Sequence, residues 1–410
     1  MSKGHGLEDR FRPAANPLPL SRELLVSVFA TSFSSMPAFL LGELAVQIRQ
    51  SFPMSSAELG IGVTAYYLGA AIWAVPSGTV AEHFGGVRVL KITPVAGAIL
   101  LASIAMFANS WWLMTLLMFP CGIVSVATGT ASNLFLARRT ALSHQGAIFG
   151  LKQAAIPIAS VLGGLAVPAI ALTIGWRWAY ILAALVSIWI AIFAPQPRST
   201  LRERRRRATG DIPRIQRLPL ALLAAGIGLG ILAASGMAAF MVSAAVAEGL
   251  TKAQAGLVAA LAGLSAAVIR IASGVMADRR HGRHFEVIAI MMFIGSLGYG
   301  VLALGQASRI PLVFIVGSVI SLGVGWGWNG LFNFAVIESH RATPARATGM
   351  TQVGGRIGGM LGPILIGVAV ASSGYEFGWL IAAASCLLAS VAVLLGKRLL
   401  AASTDQDLIG

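Results

Sequence analysis

Four ionisable residues stand out because they lie inside long apolar stretches of the sequence. Lys152, Arg270 and Arg356 are cations, whereas Glu43 is a clearly internal carboxylate. An ionised group inside a membrane is costly unless it faces a cavity or a partner. Guanidinium groups donate paired, planar hydrogen bonds to carboxylates, and an ammonium acts as a point charge. These residue types therefore favour binding of a small organic anion, in particular a carboxylate.

The composition indicates that the surrounding elements are membrane spans. Hydrophobic residues form 57% of the 410 residues, 11% are charged, and the mean hydropathy is +0.80. A helical span takes about 20 apolar residues, so the chain accommodates about twelve. Because backbone groups cannot stay unpaired in hydrocarbon and no barrel-like alternation is present, we expect an all-α membrane protein. The spans are predicted near 22–48, 57–80, 89–109, 111–137, 147–172, 177–194, 218–247, 252–277, 286–306, 311–337, 347–372 and 377–397.

The basic residues predict the orientation of these spans. Of the Lys and Arg residues outside the membrane, 23 fall on the side of the termini and only 4 on the other. By the positive-inside rule, both termini are expected in the cytoplasm, with the protein in the plasma (inner) membrane. Residues 1–21 and 398–410 are then cytoplasmic tails.

One long polar connection, residues 195–217, divides the spans into two bundles of six, 22–194 and 218–397. It holds the most basic run of the chain, Arg204 to Arg207. The run lacks interleaved aromatic residues, so it favours topology anchoring and contact with anionic lipid over nucleic-acid binding.

The two bundles are predicted to be structural repeats. Residues 150–153 and 162–163 align with 349–352 and 361–362 at a constant offset of 199, and Trp176 matches Tyr375 at the same offset. Two pseudo-symmetric six-helix bundles around a central cavity are typical of secondary transporters.

A motif after the second span and its copy after the eighth carry a family resemblance. The first reads from Gly78 through Glu82 and Gly85 to Arg88, and the second includes Asp278 and Arg279. Together with the repeats, these motifs resemble the major facilitator superfamily over nearly the whole chain. The resemblance implies transport by alternating access, in which this loop latches the bundles on the cytoplasmic side. The conformational-switch candidates are Gly78, Glu82, Gly85, Arg88, Asp278 and Arg279.

Two signatures of proton-coupled drug exporters are absent, which disfavours drug export. Met118 stands where their span-four arginine would be, four residues before Gly122, and their span-five Gly-Pro motif is missing. The cations in spans eight and eleven instead make the chain similar to the oxalate-formate and monocarboxylate branches of the superfamily.

The three cations are expected at similar depth, Lys152 and Arg270 about 10 Å and Arg356 about 15 Å from the terminal side. Alternatively, their long side chains could snorkel to that surface. Polar and aromatic residues on the same helical faces are expected to complete the wall of the site, while Tyr67 and Trp328 are assigned to packing. The other lining candidates are Gln153, Gln352, Tyr66, Trp73, Asn133, Trp326, Asn329 and Asn333.

Several mechanisms follow from a cationic cavity. If only the loaded carrier reorients readily, the chain exchanges one anion for another. Proton-coupled symport through Glu43 or Lys152 is the alternative, followed by drug/proton antiport. No residue set resembles a catalytic, cofactor or metal site, since the histidines fall outside the spans without metal spacing and Cys121 and Cys386 lie in apolar runs. We expect a monomeric carrier without enzymatic activity.

Overall fold

The computed structural model describes residues 22–137, 145–194, 217–279, 282–340 and 343–409, and within these ranges it contains helices and no strands. Eleven helices are long and apolar enough to cross a membrane, and one bent helix pair gives a twelfth span. The all-α fold with twelve membrane spans is therefore confirmed. Of the predicted linker 195–217, residues 195–216 lie outside the described residues.

The first bundle contains the first six spans. Its helices are α1 (Arg22–Glu43), α2 (Ala45–Ser51), α3 (Ser56–Ile72), α4 (Ala74–Phe84), α5 (Gly86–Phe107), α6 (Trp111–Ala137), α7 (Gln145–Gln153), α8 (Ala155–Ala166) and α9 (Trp176–Phe193). A π-helical turn, Val167–Ala171, follows α8. The second span consists of α3 and α4, and the fifth of α7, α8 and this turn.

The second bundle contains the other six spans. Its helices are α10 (Arg217–Ala247), α11 (Lys252–Arg279), α12 (His284–Ser308), α13 (Pro311–Gly327), α14 (Asn329–Ser339), α15 (Pro344–Ser373) and α16 (Tyr375–Ile409). The tenth span consists of α13 and α14, whereas α11 and α15 cross the membrane without interruption.

The turns between the helices repeat in the two bundles. Gly85 and Gly282, in the two copies of the sequence motif, have φ angles of 85° and 83°. Gly175 and Gly374, which are 199 positions apart, have φ angles of 101° and 92°. Glycine adopts this left-handed conformation without the steric cost that a Cβ would add. The same backbone turns therefore recur where the sequence repeat places them.

The main contacts between the bundles lie along two lines, and α1 also packs against α10. In one, α3 packs against α15, and a Cβ on Gly60 would lie 2.4 Å from the Pro363 carbonyl oxygen. In the other, α7 and α8 pack against α11, and a Cβ on Gly164 would lie 2.6 Å from the Gly256 carbonyl oxygen. Small residues at such contacts let helix backbones approach closely, which replaces the hydrophobic driving force that lipid does not supply.

Four spans are interrupted, where the sequence predicted continuous helices. The breaks fall at Leu44, Trp73, Ala154 and Trp328, and the break at Trp73 bends the second span by 51°. Pro157 contributes to the break at Ala154, because proline has no N–H to donate to the carbonyl of Gln153. The last carbonyls of each helical segment lack intrahelical donors, so each break leaves backbone acceptors inside the membrane region.

A cavity of about 630 Å³ lies between α10 and α15. Its walls are entirely apolar and contain none of the residues predicted to bind substrate. Val353, Ile357 and Leu361 in its wall continue an exposed stripe of α15 that includes Leu365 and Val368. This spacing places the cavity on the face of α15 turned away from Arg356. It is a groove between α10 and α15, distinct from the central cavity that the sequence predicted.

Candidate functional site

Arg270 lies at the contact between the two bundles and is completely buried. From α11 of the second bundle, its Nη1 donates to the Gln153 carbonyl of the first bundle at 2.9 Å. Its Nη2 donates to the Trp326 carbonyl at 3.3 Å, and the guanidinium carbon lies 4.3 Å from the centroid of the Trp326 ring. The guanidinium therefore joins three spans and does not snorkel to the surface.

Both acceptors of Arg270 are carbonyls at the ends of helical segments. Gln153 is the last residue of α7, and Trp326 is the next to last of α13. At the break in the tenth span, the Trp328 indole Nε1 donates to another free carbonyl, that of Gly325, at 2.6 Å. Helix C-termini carry partial negative charge, so they attract a cation. The helix interruptions thus create the environment that holds Arg270.

Arg356 occupies the matching place at the other line of contact. From α15 its Nη1 donates to the Ala70 carbonyl, in the last turn of α3, at 3.2 Å. Unlike Arg270, Arg356 is only partly buried. Next to this contact, Thr64 donates to the Met360 carbonyl at 2.8 Å. One guanidinium N–H is therefore used, in the part of the chain that the structure describes, and the others are available.

Lys152 is buried, with 3% of its surface exposed. It lies one residue before Gln153 and therefore close to the break in the fifth span. No hydrogen-bond acceptor contacts its ammonium group among residues 22–137, 145–194, 217–279, 282–340 and 343–409. Lys152 is therefore a second buried cation, on the helix α7 that packs against α11.

Two amide side chains predicted to line the site, with the backbone carbonyl of a third predicted residue, form one chain of hydrogen bonds one helical turn from Arg356. Gln352 Nε2 donates to Asn333 Oδ1 at 2.6 Å, which connects α15 to α14. Asn333 Nδ2 in turn lies 3.5 Å from the Asn329 carbonyl. Phe39 of α1 packs 6.3 Å from Trp326, centroid to centroid, and extends this surface into the first bundle.

The other predicted lining residues form no hydrogen bond or ring contact with the arginines within the described ranges. Tyr66 donates its hydroxyl to Ser125 at 2.6 Å within the first bundle. Asn133 is exposed, and Trp73 forms the break in the second span. Tyr67, which the sequence assigned to packing, contacts Gly359 and lies within electrostatic range of Arg270.

Gln153 contributes a backbone carbonyl to this site, whereas the sequence interpretation considered its side chain. The signal for this role was present in the sequence as Pro157, four residues downstream, which cannot donate to that carbonyl. The break beside Ala70 has a similar signal in Pro76, which follows Trp73 by three residues as Pro157 follows Ala154, although Pro76 frees the carbonyl of Ile72. The break beside Trp326 has no such proline.

Glu43, the last residue of α1, is buried at a separate place in the structure. It is 1% exposed, and its Oε1 accepts a hydrogen bond from Ser160 at 2.8 Å. A Cβ on Gly163 would lie 2.0 Å from Oε2, so this glycine makes room for the carboxyl group. Oε2 has no hydrogen-bond partner within the described ranges. Ser160 is seven residues, or about 10 Å, along the span from Gln153.

The two signature loops are only partly described. Glu82 and Arg88 are exposed, at the end of α4 and the start of α5, and neither forms an ion pair in the described portion of the chain. Gly78 has open space around its Cα, and Gly85 supplies the left-handed turn. The side chains of Asp278 and Arg279 lie outside the described side chains. The switch roles of these residues stay predictions.

Two bundles of six spans, with interrupted helices and buried cations where they meet, define a multi-span membrane carrier. A family model described as Major Facilitator Superfamily matches residues 24–241 and again 223–406. The chain therefore belongs to the Major Facilitator Superfamily, and the family resemblance of its motifs is confirmed. Both matches together cover nearly all of the described chain.

Individual relatives are distant. A probable hexose phosphate transport protein of Chlamydia trachomatis is 25% identical over 140 residues, 34% of this chain and 30% of that protein. The match thus spans about a third of that relative's length. A putative tartrate transporter of Agrobacterium vitis is 21% identical over 390 residues, 87% of this chain and 85% of that protein. The crystal structure of a D-xylose-proton symporter shares the fold, with a TM-score of 0.72, 15% identity and coverage of 91% and 96%.

Proposed function

We propose that this transporter moves a small carboxylate anion by alternating access, by exchange of one anion for another. The observation that carries the proposal is the state of Arg356. Its guanidinium lies partly exposed at the bundle contact and uses one of its five N–H groups on the Ala70 carbonyl. The remaining donors have the planar geometry that binds a carboxylate through two hydrogen bonds.

The balance of charge supports an anionic substrate. Arg270 and Lys152 are buried where α7 and α8 pack against α11. Glu43 of α1 contacts Ser160 of α8, which lies further along the fifth span than Lys152. Two of the matched relatives carry names of anionic cargo, a hexose phosphate and tartrate. The second of them aligns over 85% of its length, so a hydroxylated dicarboxylate is our first choice of test substrate.

Exchange follows from the cost of closing around cations that lack a counterion. Buried charges without a partner are expensive in a region of low dielectric. A bound anion lowers this cost, so the loaded carrier reorients more readily than the empty one. Net transport is then slow, and transport of one anion in exchange for another is fast.

Proton-coupled symport is the second candidate, and the environment of Glu43 favours it. This carboxyl group is buried, has one free oxygen and accepts a single hydrogen bond from Ser160. A carboxyl group in such a place can take up and release a proton as the two bundles rock. Drug/proton antiport is the third candidate and lacks a specific observation in its favour.

Proteoliposomes distinguish these modes. We expect labelled tartrate to enter vesicles that contain internal tartrate and to enter empty vesicles at least about tenfold more slowly, because the empty carrier returns slowly. A pH gradient should not replace internal tartrate. Uptake into empty vesicles that is driven by a pH gradient and lost in Glu43→Gln would replace exchange with symport.

Substrate class is tested by thermal stability in detergent, because a ligand that binds only the folded state stabilises it by mass action. Tartrate should raise the melting temperature of the wild type and leave Arg356→Gln unchanged. Stabilisation by glucose or by a lipophilic cation, equal in both proteins, would contradict a carboxylate substrate.

The setting of the carrier is part of the same proposal. The excess of basic residues on the side of the termini supports cytoplasmic termini in the plasma (inner) membrane. The basic linker favours contact with anionic lipid, and a monomer is sufficient for alternating access. Alkylation of cysteines introduced at Asn109 and His83, exposed positions at or beyond the ends of the predicted spans on opposite sides, tests the orientation.

A further inference from the structure

The contacts of the two central arginines follow one pattern. Each arginine lies on an uninterrupted helix of the second bundle, α11 or α15. Each donates Nη1 to a backbone carbonyl at the end of an interrupted segment of the first bundle, Gln153 or Ala70. Both hydrogen bonds therefore cross between the bundles, and both acceptors exist only because a helix is broken there.

The repeat makes these two contacts reciprocal. With the offset of 199, Arg356 corresponds to Pro157, and with the motif offset of 196, Arg270 corresponds to Ala74. In a continuous helix, residue 157 would donate to the Gln153 carbonyl and residue 74 to the Ala70 carbonyl. Arg270 therefore binds the carbonyl that Pro157, the counterpart of Arg356, leaves free. Arg356 binds the carbonyl that Ala74, the counterpart of Arg270, leaves free.

We propose that Pro157 is a positioning residue that acts through Arg270 and holds the two bundles together in the substrate-free carrier. Pro157 leaves the Gln153 carbonyl without a helical donor, so the carbonyl binds the guanidinium across the bundle contact. The matching break at Trp73 does the same for Arg356. Separation of the bundles in the absence of substrate must break both hydrogen bonds and leave buried donors and acceptors unpaired, which is costly.

This inference rests on the proposed function in one respect, the identity of the group that releases the contact. A carboxylate is a stronger acceptor for a guanidinium than a neutral carbonyl, because it carries a full negative charge and can accept two parallel hydrogen bonds. A substrate carboxylate at Arg356 therefore replaces the Ala70 carbonyl without leaving the guanidinium unpaired. The loaded carrier loses one tie between bundles, and the empty carrier keeps both.

The test compares Pro157→Ala with Pro120→Ala in the full-length protein. Pro157→Ala gives Gln153 a helical donor and leaves every charged residue in place. Pro120 is also a mid-helix proline of the first bundle, but its helical acceptor would be the carbonyl of Leu116, a residue that is 62% exposed. The two variants thus make the same chemical change, with and without an arginine at the carbonyl.

The readout is the distance between spin labels at His83 and Ser339, exposed positions on each bundle at the side of the termini, in lipid nanodiscs without substrate. Both native thiols are buried and are replaced by serine in the labelled protein. We expect Pro157→Ala to raise the ratio of the long to the short distance population about tenfold, equivalent to about 1.4 kcal/mol. Pro120→Ala should match the wild type.

A second variant separates action through Arg270 from a general effect on the helix. In an Arg270→Lys background the guanidinium fork is gone, so Pro157→Ala should add nothing further to the distance change. Unchanged distances in Pro157→Ala, equal shifts in Pro120→Ala, or additive shifts in the double variant would each overturn the positioning role.

Tartrate added to the wild type distinguishes this inference from the proposed function. If tartrate shifts the wild type toward the distances of Pro157→Ala, both proposals are supported. If Pro157→Ala shifts the distances and neither tartrate nor glucose 6-phosphate affects the wild type, the tie is supported and the anionic substrate is contradicted.

Discussion

The two bundles descend from the same pattern of helices and differ at the positions that meet in the middle. In the first bundle the second and fifth spans are interrupted, while their counterparts α11 and α15 are continuous. The first bundle supplies backbone carbonyls at this level, and the second supplies guanidinium groups. Pro157 and Arg356 occupy equivalent positions of the repeat. Pro157 frees a backbone carbonyl acceptor in the first bundle, whereas Arg356 provides a guanidinium donor in the second.

This difference shows how a repeated fold can form an asymmetric site without new elements. The turns around the helices are conserved between the halves in conformation, as the left-handed glycines show. At these two contacts the difference lies in the breaks of the second and fifth spans, which α11 and α15 lack. Four predictions either remove this difference between the bundles or measure it.

The largest effect is expected when the second bundle loses its accessible cation. Arg356→Gln should lower tartrate exchange in proteoliposomes about 100-fold or more, because loss of one partner of a buried, hydrogen-bonded charge pair costs about 2–5 kcal/mol. Arg346→Gln is the matched control, since Arg346 is exposed in the first turn of the same helix. Equal loss in both variants would point to surface charge instead of a binding site.

The second prediction compares how much each of the two arginines contributes to the stability of the folded protein. Arg270→Gln removes the donor from two buried carbonyls, and unpaired buried acceptors cost about 1–3 kcal/mol each. We expect it to destabilise the protein by about 3 kcal/mol, measured by thermal unfolding without substrate. Arg356→Gln should cost less, because this side chain is partly exposed and holds one carbonyl. The reverse order would contradict the assignment of Arg270 as the stronger tie.

The third prediction uses a pair of glycines that the repeat makes equivalent, Gly163 and Gly362. A Cβ on Gly362 would lie 2.2 Å from the Leu232 carbonyl oxygen, whereas one on Gly163 would meet the end of the Glu43 side chain. Gly362→Ala should therefore destabilise by about 2–3 kcal/mol through backbone displacement. Gly163→Ala should cost less, because Glu43 can rotate away. Thermal unfolding of both variants, with Gly349→Ala as a control in open space on α15, measures the difference.

The smallest effect is expected at the signature loop of the first bundle. Glu82 is exposed, so Glu82→Gln should reduce the rate of tartrate exchange only about two- to fivefold, in line with the modest effect of a carboxylate at a helix end. Its effect on tartrate affinity should be negligible, because a loop with the predicted switch role changes the rate of reorientation and leaves the binding site intact. A change in affinity with an unchanged rate would contradict the latch role. Stopped-flow exchange and thermal-shift titration measure the two quantities.

The sequence was sufficient for the architecture and for the mid-membrane charges, because span length, charge asymmetry and a repeat at fixed offset are local signals. Pro157 also predicts a free carbonyl at Gln153. The partner of that carbonyl was not predictable, since it depends on the register between bundles far apart in sequence. The break at Trp73 also has a proline, Pro76, three residues beyond it, but this proline frees the carbonyl of Ile72 and not that of Ala70. The break at Trp328 has no proline near it, so Trp326 gave no signal as an acceptor.

The separation of carbonyls and cations between the bundles gives the carrier a response to voltage. Among the four mid-span ionisable groups, Lys152 and Glu43 of the first bundle offset each other when both are charged, whereas Arg270 and Arg356 give the second bundle two positive charges. Any displacement of that bundle along the membrane normal therefore moves charge through the electric field, at about 2.3 kcal/mol per full charge per 100 mV. A bound dicarboxylate, the substrate that we propose, would cancel this charge, and the resting potential would then act mainly on the empty carrier.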